Sequence, residues 1–191
     1  KEDKSMGDNI LARTTDLAKV ICEKYADKGK TAVDATCGNG HDTVWLAERF
    51  GSVYAFDVQK SAAEATSRLA ENRGFNNVTV ICDSHENMGR YVKEKVRLVM
   101  FNLGYLPGGD KNIVTESHAT LKAVDGALSL LEKDGMICII MYPGHWQGAG
   151  EKEALLQMAS KLDKSKYHCV CTDMINQPAG APEILFITLK T

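Results

Sequence analysis

The chain has 191 residues, 44% of them hydrophobic and 25% charged, with a formal net charge of −2. That is enough for one α/β domain with a full core, and it excludes a protein that coats nucleic acid through bulk charge while leaving room for a local basic face. No apolar run reaches membrane-spanning length, and Lys1-Glu2-Asp3-Lys4 has no apolar signal core behind it, so a cytoplasmic, non-membrane protein is expected.

Residues 1–7 are read as a tail or vector-derived remnant and 8–191 as one domain. Asp8 to about Asp27 reads as a helix with an apolar stripe of Ile10, Leu11, Leu17, Val20 and Ile21. A first strand runs through Ala32-Val33-Asp34. His41 to Phe50 is a helix stopped by Gly51. The run Ser52 to Phe56 is a second strand ending at Asp57, and Ser61 to Arg73 is a helix closed by Gly74. Val78 to Asp83 is a third strand, Asn87 to Lys95 a short helix, and Leu98 to Asn102 a fourth strand. A Gly- and Pro-rich loop, Leu103 to Lys111, leads to a helix over Thr115–Glu132. Met136 to Met141 is the fifth strand and Glu151 to Leu162 the next helix. Tyr167–Met174 and Glu183–Leu189 have no helix between them and read as an antiparallel pair. The six cysteines (Cys22, Cys37, Cys82, Cys138, Cys169 and Cys171) form no C-x-x-C pair. They read as reduced core residues, with no metal site.

Alternating strands and helices require right-handed crossovers, hence a mostly parallel sheet with helices on both faces. Such sheets bind ligands beyond the carboxyl ends of their strands. Asp34, Asp57, Asp83 and Asn102 all fall at such ends, on four successive strands, and this register implies one crevice. Between the first strand and its helix lies Thr36-Cys37-Gly38-Asn39-Gly40-His41-Asp42-Thr43. A glycine turn there lets a ligand touch bare backbone. The third glycine of the dinucleotide fingerprint is replaced by Thr43, which counts against a nicotinamide-dependent oxidoreductase.

The acid before the glycine turn, together with Asp57, resembles the motif I and motif II pair of class I S-adenosylmethionine (SAM) methyltransferases. The resemblance implies a Rossmann-like fold, with seven strands and a C-terminal antiparallel hairpin. It also implies a cofactor-binding set of Asp34, Thr36, Gly38, Asn39, Gly40, His41, Asp42, Thr43, Asp57, Gln59, Asp83, Ser84, His85 and Asn102. The Asp57 carboxylate suits a ribose diol, since charged acceptors make the stronger hydrogen bonds; a turn-initiating Asp is the alternative. Asp83-Ser84 resembles the position that contacts the adenine amino group, with helix capping as its rival. Gly38 and Gly40 would admit the methionine part. Asp42 and Thr43 either hold its ammonium or cap the next helix.

Asn102 stands where class I enzymes that methylate amino nitrogens carry Asn/Asp-Pro-Pro-Tyr/Phe, although here Leu103-Gly104 replaces both prolines. An Asn oxygen and a backbone carbonyl can accept an amine's hydrogens and aim its lone pair. Tyr105 can stack on a base. Asn102, Tyr105 and His145 are the catalytic candidates. Leu103, Gly104, Tyr105, Gly109, Asp110, Lys111, His145 and Trp146 are the substrate-binding ones. His145 and Trp146 lie in a second loop, 142–148, expected beside the first. A third loop, Asn176 to Pro182, reads as a rim of the same site or as a plain hairpin connection. Lys111, and secondarily Arg13, are candidates for phosphate contact.

Asp-Ala-Thr-x-Gly-Asn-Gly-His-Asp-Thr at 34–43, Asn-Leu-Gly-Tyr-Leu-Pro-Gly-Gly-Asp-Lys at 102–111 and Tyr-Pro-Gly-His-x-x-Gly at 142–148 are together similar to the bacterial YtqB/MnmM-like methyltransferases, first labelled rRNA methylases. The resemblance covers about residue 8 to the C-terminus. It implies SAM-dependent N-methylation of the 5-aminomethyl group of (2-thio)uridine at tRNA wobble position 34. The partner is then a tRNA anticodon stem-loop, and a homodimer is allowed for. The residues alone support only a SAM site beside an amine-compatible pocket. They leave open an rRNA base or a small amine as acceptor, and a non-catalytic SAM- or RNA-binding module.

Overall fold

The computed structural model describes residues 9–104, 117–144 and 146–190, with Ser117 in its backbone alone. In chain order the elements are α1 (Thr14–Cys22), β1 (Thr31–Asp34), α2 (His41–Ala47), β2 (Ser52–Phe56), α3 (Lys60–Asn72), β3 (Val78–Ile81) and α4 (Met88–Tyr91). They continue with β4 (Val96–Asn102), α5 (Ser117–Leu130), β5 (Leu131–Met141), α6 (Trp146–Ser160), β6 (Tyr167–Thr172) and β7 (Glu183–Leu189).

The strands form a seven-stranded sheet ordered β3-β2-β1-β4-β5-β7-β6. β3, β2, β1, β4 and β5 pair in parallel, and β7 pairs antiparallel with both β5 and β6. This is the class I methyltransferase arrangement expected from the sequence, late hairpin included. The strand order reverses between β1 and β4, so the carboxyl ends of those two strands form the topological switch point.

The pleat sorts the core into two layers. Val33, Val99, Phe101, Ile137, Ile139, Leu185 and Ile187 face one way, onto α4, α5 and α6. Ala32, Leu98, Met100, Met136, Cys138, Ile140, Ile184 and Phe186 face the other, with Ala18 and Cys22 of α1 and Leu46 and Ala47 of α2. β4 and β5 are buried on both faces, so they read as continuous apolar runs.

Several boundaries differ from the expectation, each for a local reason. The first helix begins at Thr14, not Asp8. The Asn9 side chain accepts the Leu11 N–H and its carbonyl accepts that of Ala12, which closes a turn and leaves Ile10 and Leu11 exposed. The helix expected at 87–95 is a 3-10 turn over His85–Asn87, capped by Ser84 Oγ, followed by the single α turn α4. α5 stops at Leu130, and β5 starts five residues before Met136. Its register jumps from Val96↔Leu131 to Leu98↔Met136, with Asp134 at φ 61°. α6 starts at Trp146, inside the segment expected to be loop. Of the cysteines, Cys22, Cys37 and Cys138 are buried, whereas Cys82, Cys169 and Cys171 are exposed. The exposed three lie on or just beyond β3 and β6, the two sheet edges. Among the described residues no helix is long and apolar enough to cross a membrane.

Candidate active site

The glycine turn after β1 is clamped at both ends of one residue. Gly38 N–H donates to Asp57 Oδ2 at 3.0 Å, and Gly38 C=O accepts from Thr66 Oγ of α3 at 3.1 Å. Gly38 and Gly40 have φ of 50° and 83°, conformations that favour glycine. Gly40 is buried, and a Cβ there would meet Thr66 Cα at 3.0 Å. The absent side chain at 40 therefore serves the approach of α3. Asn39 and His41 are exposed.

Asp34 lies beneath this turn, 1% exposed. Its oxygens accept the Thr36 N–H at 3.1 Å and the Thr43 hydroxyl at 2.6 Å. Burial first, then the nearby Asp42 charge, pushes its pKa up to about 7 against the pull of those two bonds. Thr43 is fully buried. Asp34 and Thr43, both expected in the cofactor-binding set, thus support the turn from below through their buried hydrogen bond.

At the end of β2, half-buried Asp57 holds Gly38 with one oxygen and the Gln59 N–H with the other, at 2.9 Å. A carboxylate has about four acceptor sites, so among the described residues two remain for a paired donor such as a diol. Asp83, after β3, spends more of its capacity locally. It accepts from Ser84 N–H, Asn87 Nδ2 and Tyr91 Oη, and the Tyr91 and Asn87 bonds lower its pKa. The cap itself comes from the neighbouring Ser84, whose Oγ accepts the Glu86 N–H at 3.3 Å. His85 is 7% exposed. Its Nδ1 donates to the Ala35 carbonyl at 2.9 Å, since a carbonyl only accepts. Among the described residues Nε2 is buried without a hydrogen-bond partner, and burial lowers the ring's pKa.

Asn102 ends β4 next to the turn. Its backbone N–H donates to Thr36 Oγ at 2.7 Å, and its Nδ2 donates to Asp42 Oδ2 at 3.0 Å. The other Asp42 oxygen lies 2.7 Å from Lys19 Nζ of α1. Leu103 N–H donates to the Ile140 carbonyl at 3.0 Å, which lays this residue against β5. Gly104 follows against the Tyr142 ring, where a Cβ would meet Cε2 at 3.3 Å. Burial, then the Asp42 charge, raises the Tyr142 pKa. The third loop closes on the second, since a Cβ on Gly180 would lie 2.7 Å from Gly144 Cα. Trp146 is 82% exposed at the start of α6. Tyr105, Gly109, Asp110, Lys111 and His145 lie outside the described residues.

The structure therefore gathers Asp57, Gly38, Asp42, Asn102 and Gly104 around the switch point. Three residues that sequence reasoning left out join them: Lys19, Thr66 and Tyr142. Tyr142 stood in a quoted motif, but a helical Lys and a helical Thr carried no signal.

The family model described as "Putative rRNA methylase" matches residues 53–188. The "tRNA (mnm(5)s(2)U34)-methyltransferase, chloroplastic" of Arabidopsis thaliana is 39% identical over 189 residues, covering 92% of this chain and 69% of that protein. A Clostridium thermocellum structure of the same rRNA-methylase description superposes with a TM-score of 0.90 at 36% identity, covering 93% of this chain and 97% of that one. A Streptococcus mutans protein in complex with SAH gives 0.86 at 34% identity, covering 93% and 98%.

Proposed function

The chain belongs to the rRNA methylase family, and from that premise we propose that it transfers a methyl group from SAM to the 5-aminomethyl group of (2-thio)uridine at tRNA position 34. It is a SAM-dependent methyltransferase. The observation that carries the substrate is the 39% identity, across nearly the whole chain, to an enzyme named for that nucleoside.

The residues fit the cofactor. The two free acceptor sites of Asp57 suit the ribose hydroxyls, and the clamped Gly38 peptide leaves Asn39 exposed for close backbone approach. SAM would supply an electrophilic methyl carbon on a sulfonium: the neutral amine's lone pair forms the N–C bond while the S–C bond breaks and S-adenosylhomocysteine leaves, so the nucleophile needs no further activation. The protein's task is then orientation. The Asn102 Nδ2 donates one hydrogen bond to Asp42, so its Oδ1 is left to accept a hydrogen from the substrate amine. An alkylammonium must first lose a proton, and its pKa is about 10 in water. The half-buried wall of Leu103 and Tyr142 favours the neutral form. Trp146 offers a stacking face for an unpaired base. Tyr105 and His145 are proposed to contact the substrate, and Lys111 to contact phosphate, in an anticodon stem-loop. A dimer is proposed as the assembly.

The test is transfer in vitro. The protein, SAM and an anticodon stem-loop bearing 5-aminomethyl-2-thiouridine should yield the methylaminomethyl nucleoside by mass spectrometry. Methylation of an rRNA fragment with none of the stem-loop would replace this reading.

A further inference from the structure

We propose that Lys19 and Asp42 are positioning residues for Asn102, forming a three-member relay from α1 through α2 to the end of β4; the relay rests on the methyl-transfer role given to Asn102 above. An Asn amide can present either its oxygen or its NH2 to a substrate, and only one orientation accepts hydrogen from an amine. Asp42 Oδ2, 3.0 Å from Asn102 Nδ2, settles which. A carboxylate has no hydrogen to give, so the NH2 must face it. Among the described residues Asn102 Oδ1 is left without a partner, as the free acceptor.

Asp42 alone would be a poor anchor. Its carboxylate could rotate away, or take the cationic amine itself and hold it in a nonproductive pose. Lys19 prevents both. Its ammonium sits 2.7 Å from Asp42 Oδ1, with Lys19 and Asp42 side chains only 21% and 15% exposed. The same ammonium lies 5.9 Å from the centroid of the Trp45 ring, one helical turn from His41 on α2. A pair this sheltered is screened less than a surface pair. The carboxylate is therefore held by one oxygen while the other holds Asn102.

The relay predicts a specific signature. Lys19→Met should lower kcat about tenfold, with KM for SAM changed less than about twofold. Lys19→Arg should restore most of the loss. Asp42→Asn should behave like Lys19→Met, because one amide oxygen cannot serve both neighbours. In an Asn102→Ala background, single-turnover transfer of labelled methyl should show no further loss from Lys19→Met. Melting temperatures establish that each variant is folded. Equal losses from Lys19→Met in both backgrounds, or a rise in KM for SAM large enough to explain the loss, would overturn the proposal. The Asn102 side-chain NH2 resonances supply an arm independent of substrate. They should shift toward the values of a solvated amide in Lys19→Met, and identical resonances in the two proteins would also overturn it. If the wild-type protein transfers no methyl to the stem-loop, the substrate reading fails, and the resonances still decide the relay.

Discussion

Asp57 and Gly38 are joined by a 3.0 Å hydrogen bond from the turn's backbone N–H to the carboxylate at the end of the neighbouring strand. One side chain thereby shapes the glycine turn from the end of the neighbouring strand. Asp57→Ala should weaken SAM binding by roughly 10- to 100-fold, since a hydrogen bond to a charged group is worth about 1.5–3 kcal/mol. It should also lower the melting temperature, because the Gly38 and Gln59 N–H groups lose their acceptor. Calorimetry showing wild-type SAM affinity in this variant would take Asp57 out of the site.

Asn102→Ala should cut turnover about a hundredfold, the scale of a lost proton-orienting contact, with SAM affinity nearly intact. The side chain is assigned to the amine, and its only described partner is Asp42. Equal losses of SAM affinity and of turnover would assign it to the cofactor instead.

Asp34 makes stability depend on pH. Its folded pKa of about 7 lies above the ordinary 3.8, so between those values the folded state binds more protons than the unfolded state. Stability should fall as pH rises through that window, by roughly 1.4 kcal/mol for each unit of pKa difference. Asp34→Asn should flatten the slope. The amide that this substitution introduces can still accept the Thr36 N–H and can donate to the Thr43 hydroxyl, which turns to accept. Urea melts of both proteins between pH 4 and 7 check this, and parallel slopes would mean that Asp34 is ionised throughout.

Gly180→Ala should destabilise the rim. The residue has φ 93°, and its Cβ would lie 2.7 Å from the Gly144 backbone. The left-handed conformation alone costs about 1–2 kcal/mol, and relief of the clash must separate the second and third loops. RNA affinity should fall more than SAM affinity, as measured by parallel titrations. A variant with wild-type RNA affinity would show that the two loops act independently.

Trp146→Ala should leave the melting temperature within about a degree, because the side chain is 82% exposed and little packing is lost. Stem-loop binding should weaken by about 1–3 kcal/mol if one base stacks there. Unchanged affinity would make Trp146 an idle surface residue.

The cofactor half was legible because its logic is local. Short apolar strand runs end in Asp34, Asp57 and Asn102, and strand polarity alone brings such ends together. Thr66 and Lys19 were not legible, since each acts across 28 or 23 residues on a partner that only the packed fold brings near. A helical Lys reads as a solvated residue until α1 is docked beside α2. The early start of β5 was hidden too, because Asp134 takes a left-handed φ that propensity assigns to glycine. The exposed edge cysteines were misjudged because sheet order decides burial at an edge, and a run such as His168-Cys169-Val170-Cys171 looks the same in either place.

The two halves of the crevice also differ in how they can change over generations. Asp34 and Asn102 hold their places through strand pairing, Asp34 against Ala55 and Met100 and Asn102 against Ile140, and Asp57 follows directly on β2. A one-residue insertion in β1 or β4 would turn every following side chain to the opposite face, so drift in these strands is purged along with the core. The rim where Gly144 meets Gly180 is loop, and there even doubling the length costs only about 0.6 kcal/mol in closure entropy. Descendants of this chain can therefore recut the rim for a new methyl acceptor while inheriting the donor half unchanged.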